Sequence, residues 1–191
     1  MKIFDPEFCE WMTQSRHGTK FGVRDGRPYM TFNNGEEFFF FDTLPDGWIR
    51  LTHTIRSDTP HWELDAATME VAEVYLSVQY GNAIRVSLGL ERLDRRERVG
   101  EESPAMTRTV VDWIGPPVPG LPPLRMEVFS SNQTPVARFG YPLGEYTPQL
   151  GEWSREAGAT WYIDKPLSEV LSALRHPTGS PLFELLGDRR A

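Results

Sequence analysis

The run Trp48-Ile-Arg-Leu-Thr-His-Thr-Ile55, followed by His61-Trp-Glu-Leu64 and Asp65-Ala-Ala-Thr-Met-Glu-Val-Ala-Glu-Val-Tyr-Leu-Ser-Val-Gln-Tyr-Gly81, decides the fold class. Ile49, Leu51, His53 and Ile55 alternate with Trp48, Arg50, Thr52 and Thr54. One side is apolar apart from His53, which is the two-residue period of a half-buried antiparallel strand. After Leu64 the period changes. Val71, Val74, Tyr75 and Val78 recur at helical spacing, with Asp65 placed to cap the start and Gly81 to close the end. Glu70 and Glu73 share one side of that helix and read as a solvent-facing stripe.

Working outward toward the N-terminus, Asp5-Pro6-Glu7 is a helix start, and Phe8, Trp11 and Met12 give that helix one apolar face. Phe21–Arg24 and Pro28–Phe32 flank Asp25-Gly26, a strong hairpin pair. Asn33-Asn34-Gly35 turns the chain again, and Glu37–Asp42 is a third strand whose unbroken aromatics suggest burial on both faces. Pro45-Asp46-Gly47 is the turn before Trp48.

Toward the C-terminus, Ile84–Glu102 is densely charged and reads as a solvated helix end or loop. Arg108–Trp113 is a strand. Gly115–Pro123 carries five prolines and reads as a stiff connection. Leu124–Phe129 and Pro135–Phe139 form a hairpin around Ser130–Thr134, and Tyr141–Gly158 reads as a long loop. Thr160–Ile163 is a last strand, and Asp164 caps a final helix with Leu167, Val170, Leu171 and Leu174 on its buried side. Leu182–Leu186 docks as a short terminal element. The expected class is α+β: a mostly antiparallel sheet packed by a central amphipathic helix and a C-terminal helix, in one domain over 1–191 with a Gly/Pro-rich connection at 115–123.

The chain has 191 residues and a net charge of −7, with pI about 5.2. Such a balance disfavours nucleic acid and anionic membranes as partners, and suits a basic protein partner. Cys9 stands alone, so no intramolecular disulfide forms, and acids around it argue against an activated thiol. No signal-length apolar run opens the chain, and the expected location is the cytoplasm.

Catalytic motifs are weak. No pair among His17, His53, His61 and His176 has the spacing of a zinc helix, and no nucleophile elbow, Walker loop or dinucleotide fingerprint occurs. His53 and His61 flank Asp58 and lie near Asp65, so a metal or acid–base cluster is one reading. The plainer reading of His53 is a single polar position on a strand. We assign no catalytic, cofactor-binding or metal residue.

Ala67–Leu76 followed by Ala83-Ile-Arg85 and Gly89-Leu90 resembles the "MEV.ERYL" helix and "IRS…GLP.L" segment of a family of bacterial immunity proteins. That family is encoded beside polymorphic and NAD-consuming toxins, and includes the immunity factor for the tuberculosis necrotizing toxin. Phe4–Met12 is similar to its opening helix, Leu124–Gly140 to its "LxxxDPDGxPVAxF" hairpin, and Trp161–Ile163, Leu167–Leu174 and Gly179–Phe183 to its closing elements. Val86, Ser87, Leu88 and Glu91 depart from the pattern. The resemblance implies an antitoxin that binds a cognate toxin domain 1:1 and occludes its active site, that of an NAD glycohydrolase, with no small-molecule substrate of its own. A secretion chaperone or adaptor is the first alternative, and a hydrolase using His53 or His61 the second. For partner contacts, geometry nominates the hairpin tip Asp25, Gly26 and Arg27, together with Tyr146 and Trp153 as rigid anchors. Arg85 is a further candidate, with capping of backbone carbonyls as its equal alternative.

Overall fold

A computed structural model of the chain describes residues 3–56, 61–96, 102–112, 124–142 and 155–187. The connection at 115–123, Tyr146 and Trp153 lie outside them. Eight antiparallel strands form one sheet in the order β1-β2-β3-β4-β5-β9-β8-β7. They are β1 (Lys20–Arg24), β2 (Arg27–Phe32), β3 (Glu37–Thr43), β4 (Ile49–Ile55), β5 (His61–Ala66), β7 (Met106–Asp112), β8 (Leu124–Ser131) and β9 (Thr134–Pro142). A two-stranded ladder joins β6 (Leu93–Asp94) to β10 (Glu184–Leu185). The helices are α1 (Pro6–Thr13), α2 (Met69–Gln79), α3 (Gly81–Ser87), α4 (Arg155–Ala159) and α5 (Leu167–Arg175). The α+β class expected from the sequence is the observed one.

The hairpin pairs behave as turn chemistry requires. Asp25 and Gly26 take φ of 52° and 78°, and Asn132 and Gln133 take 50° and 65°. Two successive left-handed residues match the twist of the strands they join. One side of the sheet packs on the helices through Phe39, Phe41, Leu51, Leu64, Phe129 and Phe139, all buried. On β3, however, Phe38 and Phe40 are only half-buried. The aromatic run therefore alternates, because each even residue points away from the helices.

The central helix starts later than its sequence suggests. Asp65 belongs to β5, where Arg50 donates to it from β4 at 2.8 and 2.9 Å. The strand continues through Ala66, opposite Ala137. Thr68 is the N-cap, its hydroxyl accepting from the Val71 N–H at 3.3 Å. Gly81 is not a left-handed stop. It opens α3, and a Cβ there would lie 3.0 Å from Leu174 Cδ2, so the glycine permits close packing against α5. Val74, Tyr75 and Val78 are buried as expected, with Val71 partly buried. Ala72, Glu73, Leu76 and Ser77 are buried too, because α1 and α5 cover the helix on its other sides.

Glu70 and Glu73 do not form one solvent-facing stripe: Glu70 is exposed, but Glu73 is not. Glu73 is buried and accepts the N–H of Asp5 at 2.7 Å, while Glu70 accepts that of Leu167 at 3.0 Å. Each carboxylate meets the exposed donors at the start of another helix, which favours it there. Glu70 thus does for α5 what was expected of Asp164. Asp164 instead accepts the Ser131 hydroxyl at 2.7 Å. Thr160–Ile163 is not a strand. Its amides bond back to Ala157, Gly158 and Ala159, three or four residues earlier, which is turn bonding and leaves none for a strand partner. Arg155–Ala159 is helical, although the long loop was expected to run through Gly158. Within the charged stretch, Gly81–Ser87 is helix and Leu93–Asp94 pairs with Glu184–Leu185. Among the described residues no helix is long and apolar enough to cross a membrane.

Candidate functional site

Two regions carry chemistry: the exposed β1–β2 hairpin and a cleft between the sheet and α2. At the hairpin tip, Asp25, Gly26 and Arg27 are all exposed. Arg27 lies back along the sheet. Its Nε and Nη2 donate to Asp42 at 2.6 and 2.5 Å, and its guanidinium sits 4.5 Å from the Phe40 ring centroid. The hydrogen bond to Asp42 raises the Arg27 pKa, against partial burial. The pattern repeats across this side of the sheet. Arg50 pairs with Asp65 and lies 4.6 Å from the Trp62 ring, and Arg138 pairs with Asp46 at 2.9 Å and lies 3.6 Å from the Trp48 ring. Three arginines are thus each held between a carboxylate and an aromatic ring, a rigid arrangement with little entropy left to lose on contact.

The cleft encloses about 180 Å³ among Phe39, His53, Glu63, Tyr75, Leu76, Gln79, Tyr80 and Arg155. Its centre is His53. The ring stacks on Phe39 at 4.3 Å and 5°. Nδ1 faces Glu63 Oε1 at 3.2 Å. Nε2 lies 3.4 Å from Glu37 Oε2, at ion-pair range but out of line for a hydrogen bond. Glu63 reaches this side because of a bulge. The β4–β5 register shifts between Leu51 and Thr52, so Leu51 faces Leu64, Thr52 faces Trp62, and Glu63 is the extra residue. The bulge re-aims its side chain toward α2. There it accepts from the Tyr75 hydroxyl at 3.3 Å and from Arg155 at 2.9 Å. Glu37 accepts from the Tyr80 hydroxyl at 2.6 Å.

Burial works to lower the His53 pKa, but contacts with Glu37 and Glu63 outweigh it and raise the value to about 9. Glu37 is held below the usual carboxylate range by His53, against burial and with help from Tyr80. Burial pushes Glu63 up, and His53 and Arg155 more than reverse it. Burial raises both Tyr75 and Tyr80, so the two hydroxyls remain donors. At neutral pH His53 is therefore an imidazolium clamped by two carboxylates. It has no lone pair with which to accept a proton or bind a metal. His61 is exposed, and Asp65 points to the Arg50 side of the sheet. The β4–β5 register sets His61 directly opposite His53, but Asp65 is turned away, so the His53–His61–Asp65 grouping allowed by the sequence is not completed, and Asp58 lies outside the described residues. Among the described residues, no group of three His, Cys, Asp or Glu converges as a metal shell would.

Arg85 is fully buried. Its guanidinium donates to the carbonyls of Glu91 at 2.7 Å, Leu174 at 2.6 Å, His176 at 2.7 Å and Pro177 at 2.7 Å. Burial lowers its pKa, with Glu91 opposing. Of its two sequence readings, carbonyl capping is the one its geometry displays. It satisfies the end of α5 and the turn after α3 together. The Glu37 and Glu63 clamp is not legible in the sequence. Glu37 was visible as an acid beside the aromatic run, but the bulge that brings Glu63 to His53 leaves no periodic trace.

The family profile described as Immunity protein 61 matches residues 11–182. Among solved structures, one titled Rv3902c from M. tuberculosis is similar, with a TM-score of 0.73 and 21% identity over 97% of this chain and 96% of that one. At that identity the likeness concerns the fold. No curated protein matches.

Proposed function

This chain belongs to the immunity protein 61 family, and from that premise we propose that it binds a cognate toxin domain 1:1 and occludes its active site. The carrying observation is the family match over residues 11–182. The toxin activity we propose is NAD glycohydrolysis, and the place of action is the cytoplasm of the producing cell. We take residues 1–191 to act as a single domain, a reading supported by one sheet that takes strands from both halves of the chain. We also read the protein as a binder rather than an enzyme. A doubly clamped imidazolium is poorly suited to general base work near neutral pH, which supports this. The Arg27–Phe40 and Arg138–Trp48 pairs offer preorganised anchors of the type that dominates protein interfaces. An acidic chain steers toward a basic cleft and speeds its capture.

The test is to co-express the chain with the toxin domain encoded beside its gene, purify the pair, and measure NAD consumption with and without it. A stable 1:1 complex with lost activity is expected. A stable complex with intact activity would point to a chaperone, and no complex would reopen the hydrolase reading. In that last case His53→Ala and His61→Ala should be assayed for turnover.

A further inference from the structure

We propose that β1 is a docking edge, to which an extended acidic segment of the toxin adds as a further strand. This deepens the immunity reading and rests on it. Among the described residues, the five-residue strand Lys20–Arg24 is the outermost of the sheet, bonded on one side only to β2. The register and the Asp25-Gly26 turn fix which groups face outward. Arg24 pairs with Arg27 across a two-residue turn, so Arg24, Gly22 and Lys20 exchange bonds with β2. Val23 and Phe21 fall at the alternate positions, and Val23 faces Pro28, which has no N–H to give. The amides and carbonyls of Phe21 and Val23 therefore point away from the sheet. No hydrogen bond from any described residue reaches them.

The edge is rigid and regular. The Phe21 ring is anchored against Phe4 and Phe8, at centroid distances of 5.2 and 5.6 Å. The β1–β2 register contains no bulge. Val23 is 53% exposed, the highest value among the exposed large apolar residues. An edge with these properties is a template for another strand.

Charge selects the occupant. Lys20 and Arg24 are exposed on the same face of β1, and neither has a carboxylate partner among the described residues. Arg27, Arg50, Arg56, Arg96 and Arg138, by contrast, each have a carboxylate partner. A second copy is a poor fit. An antiparallel β1 pair centred on Gly22 would set Lys20 opposite the other copy's Arg24, twice over, and facing like charges destabilise a strand pair. A segment with Asp or Glu at those two positions, and an apolar residue against Val23, matches the edge instead.

The experiment follows amide exchange by NMR in the full chain, alone and bound to the neighbouring toxin domain. The Phe21 and Val23 amides should exchange freely alone and become protected in the complex by about 100-fold or more. Val23→Pro removes an outward N–H that the sheet does not use, a substitution an edge strand tolerates. It should weaken binding by about 30-fold at unchanged melting temperature. Lys20→Glu with Arg24→Glu should cost about tenfold, mostly in association rate. A complex with unchanged exchange at Phe21 and Val23 overturns the docking edge and leaves the immunity reading standing. Protection that rises with concentration in the free protein assigns the edge to a second copy and overturns the proposed occupant. Absence of any complex removes both readings.

Discussion

Stability should fall as pH rises through 9, because the His53 clamp depends on a charged imidazole. The perturbation is alkaline titration of the wild type, with His53→Gln as the control. The sign follows from linkage. The folded pKa, about 9, lies above the ordinary 6.5. The contribution is therefore complete below pH 6.5 and is lost as pH climbs through 9. With one pKa unit equal to about 1.4 kcal/mol, the full contribution is about 3 kcal/mol, most of it lost between pH 7 and 9.5. Conversion to stability is justified here because the side chain is only 14% exposed. Glu37 and Glu63 act on the other limb. Both are lowered, so their contribution is present above the ordinary 4.5 and disappears as pH falls below it. In His53→Gln the two carboxylates lose their shared cation. Each keeps one tyrosine hydroxyl, and Glu63 keeps Arg155. Their folded pKa values then rise, so the stability the two carboxylates contribute above 4.5 shrinks in the variant, and the alkaline slope of the wild type is absent from it. The assay is urea unfolding at constant temperature across pH 5–9.5, with the slope on urea checked for constancy. A wild-type curve flat from pH 7 to 9.5, or the same alkaline slope in His53→Gln, would refute the clamp.

Arg85→Met should cost about 3–5 kcal/mol, since it removes four hydrogen bonds and leaves the Glu91, Leu174 and Pro177 carbonyls without a donor, His176 keeping the Gly179 N–H; thermal unfolding measures it. Arg85→Lys should recover only part of that, because one ammonium cannot span the same set. Glu73→Ala should cost more than Glu70→Ala, about 2 against about 0.5–1 kcal/mol, because Glu73 is buried and Glu70 exposed; equal losses in chemical denaturation would contradict the two tethers. Gly140→Ala should destabilise by about 1–3 kcal/mol and shift Trp fluorescence, because a Cβ there overlaps the Trp62 ring, itself held by Arg50.

Where a feature depends on neighbours in sequence, the chain declared it. The hairpin at Asp25-Gly26, the α1 cap at Asp5, the strand at Ile49–Ile55 and the apolar side of Leu167–Leu174 all follow from local backbone preference and the two hydrophobic periods. The family resemblance lay in the same text, and the match over residues 11–182 bears it out. What the chain left open were partnerships between residues far apart. Asp65 could have capped a helix, but Arg50, fifteen positions earlier on the adjacent strand, claims it. Glu70 and Glu73 could have faced water, but the starts of α5 and α1 arrive to use them. A one-residue bulge turns Glu63 to His53 and converts a lone polar strand position into a clamped imidazolium. Local propensity is worth tenths of a kcal/mol per residue, while a buried charge left without its partner costs several. The sequence therefore determined the class, the hairpins, the strands and helices with a clear period, and the family, and the tertiary structure alone decided which charged group each element would satisfy.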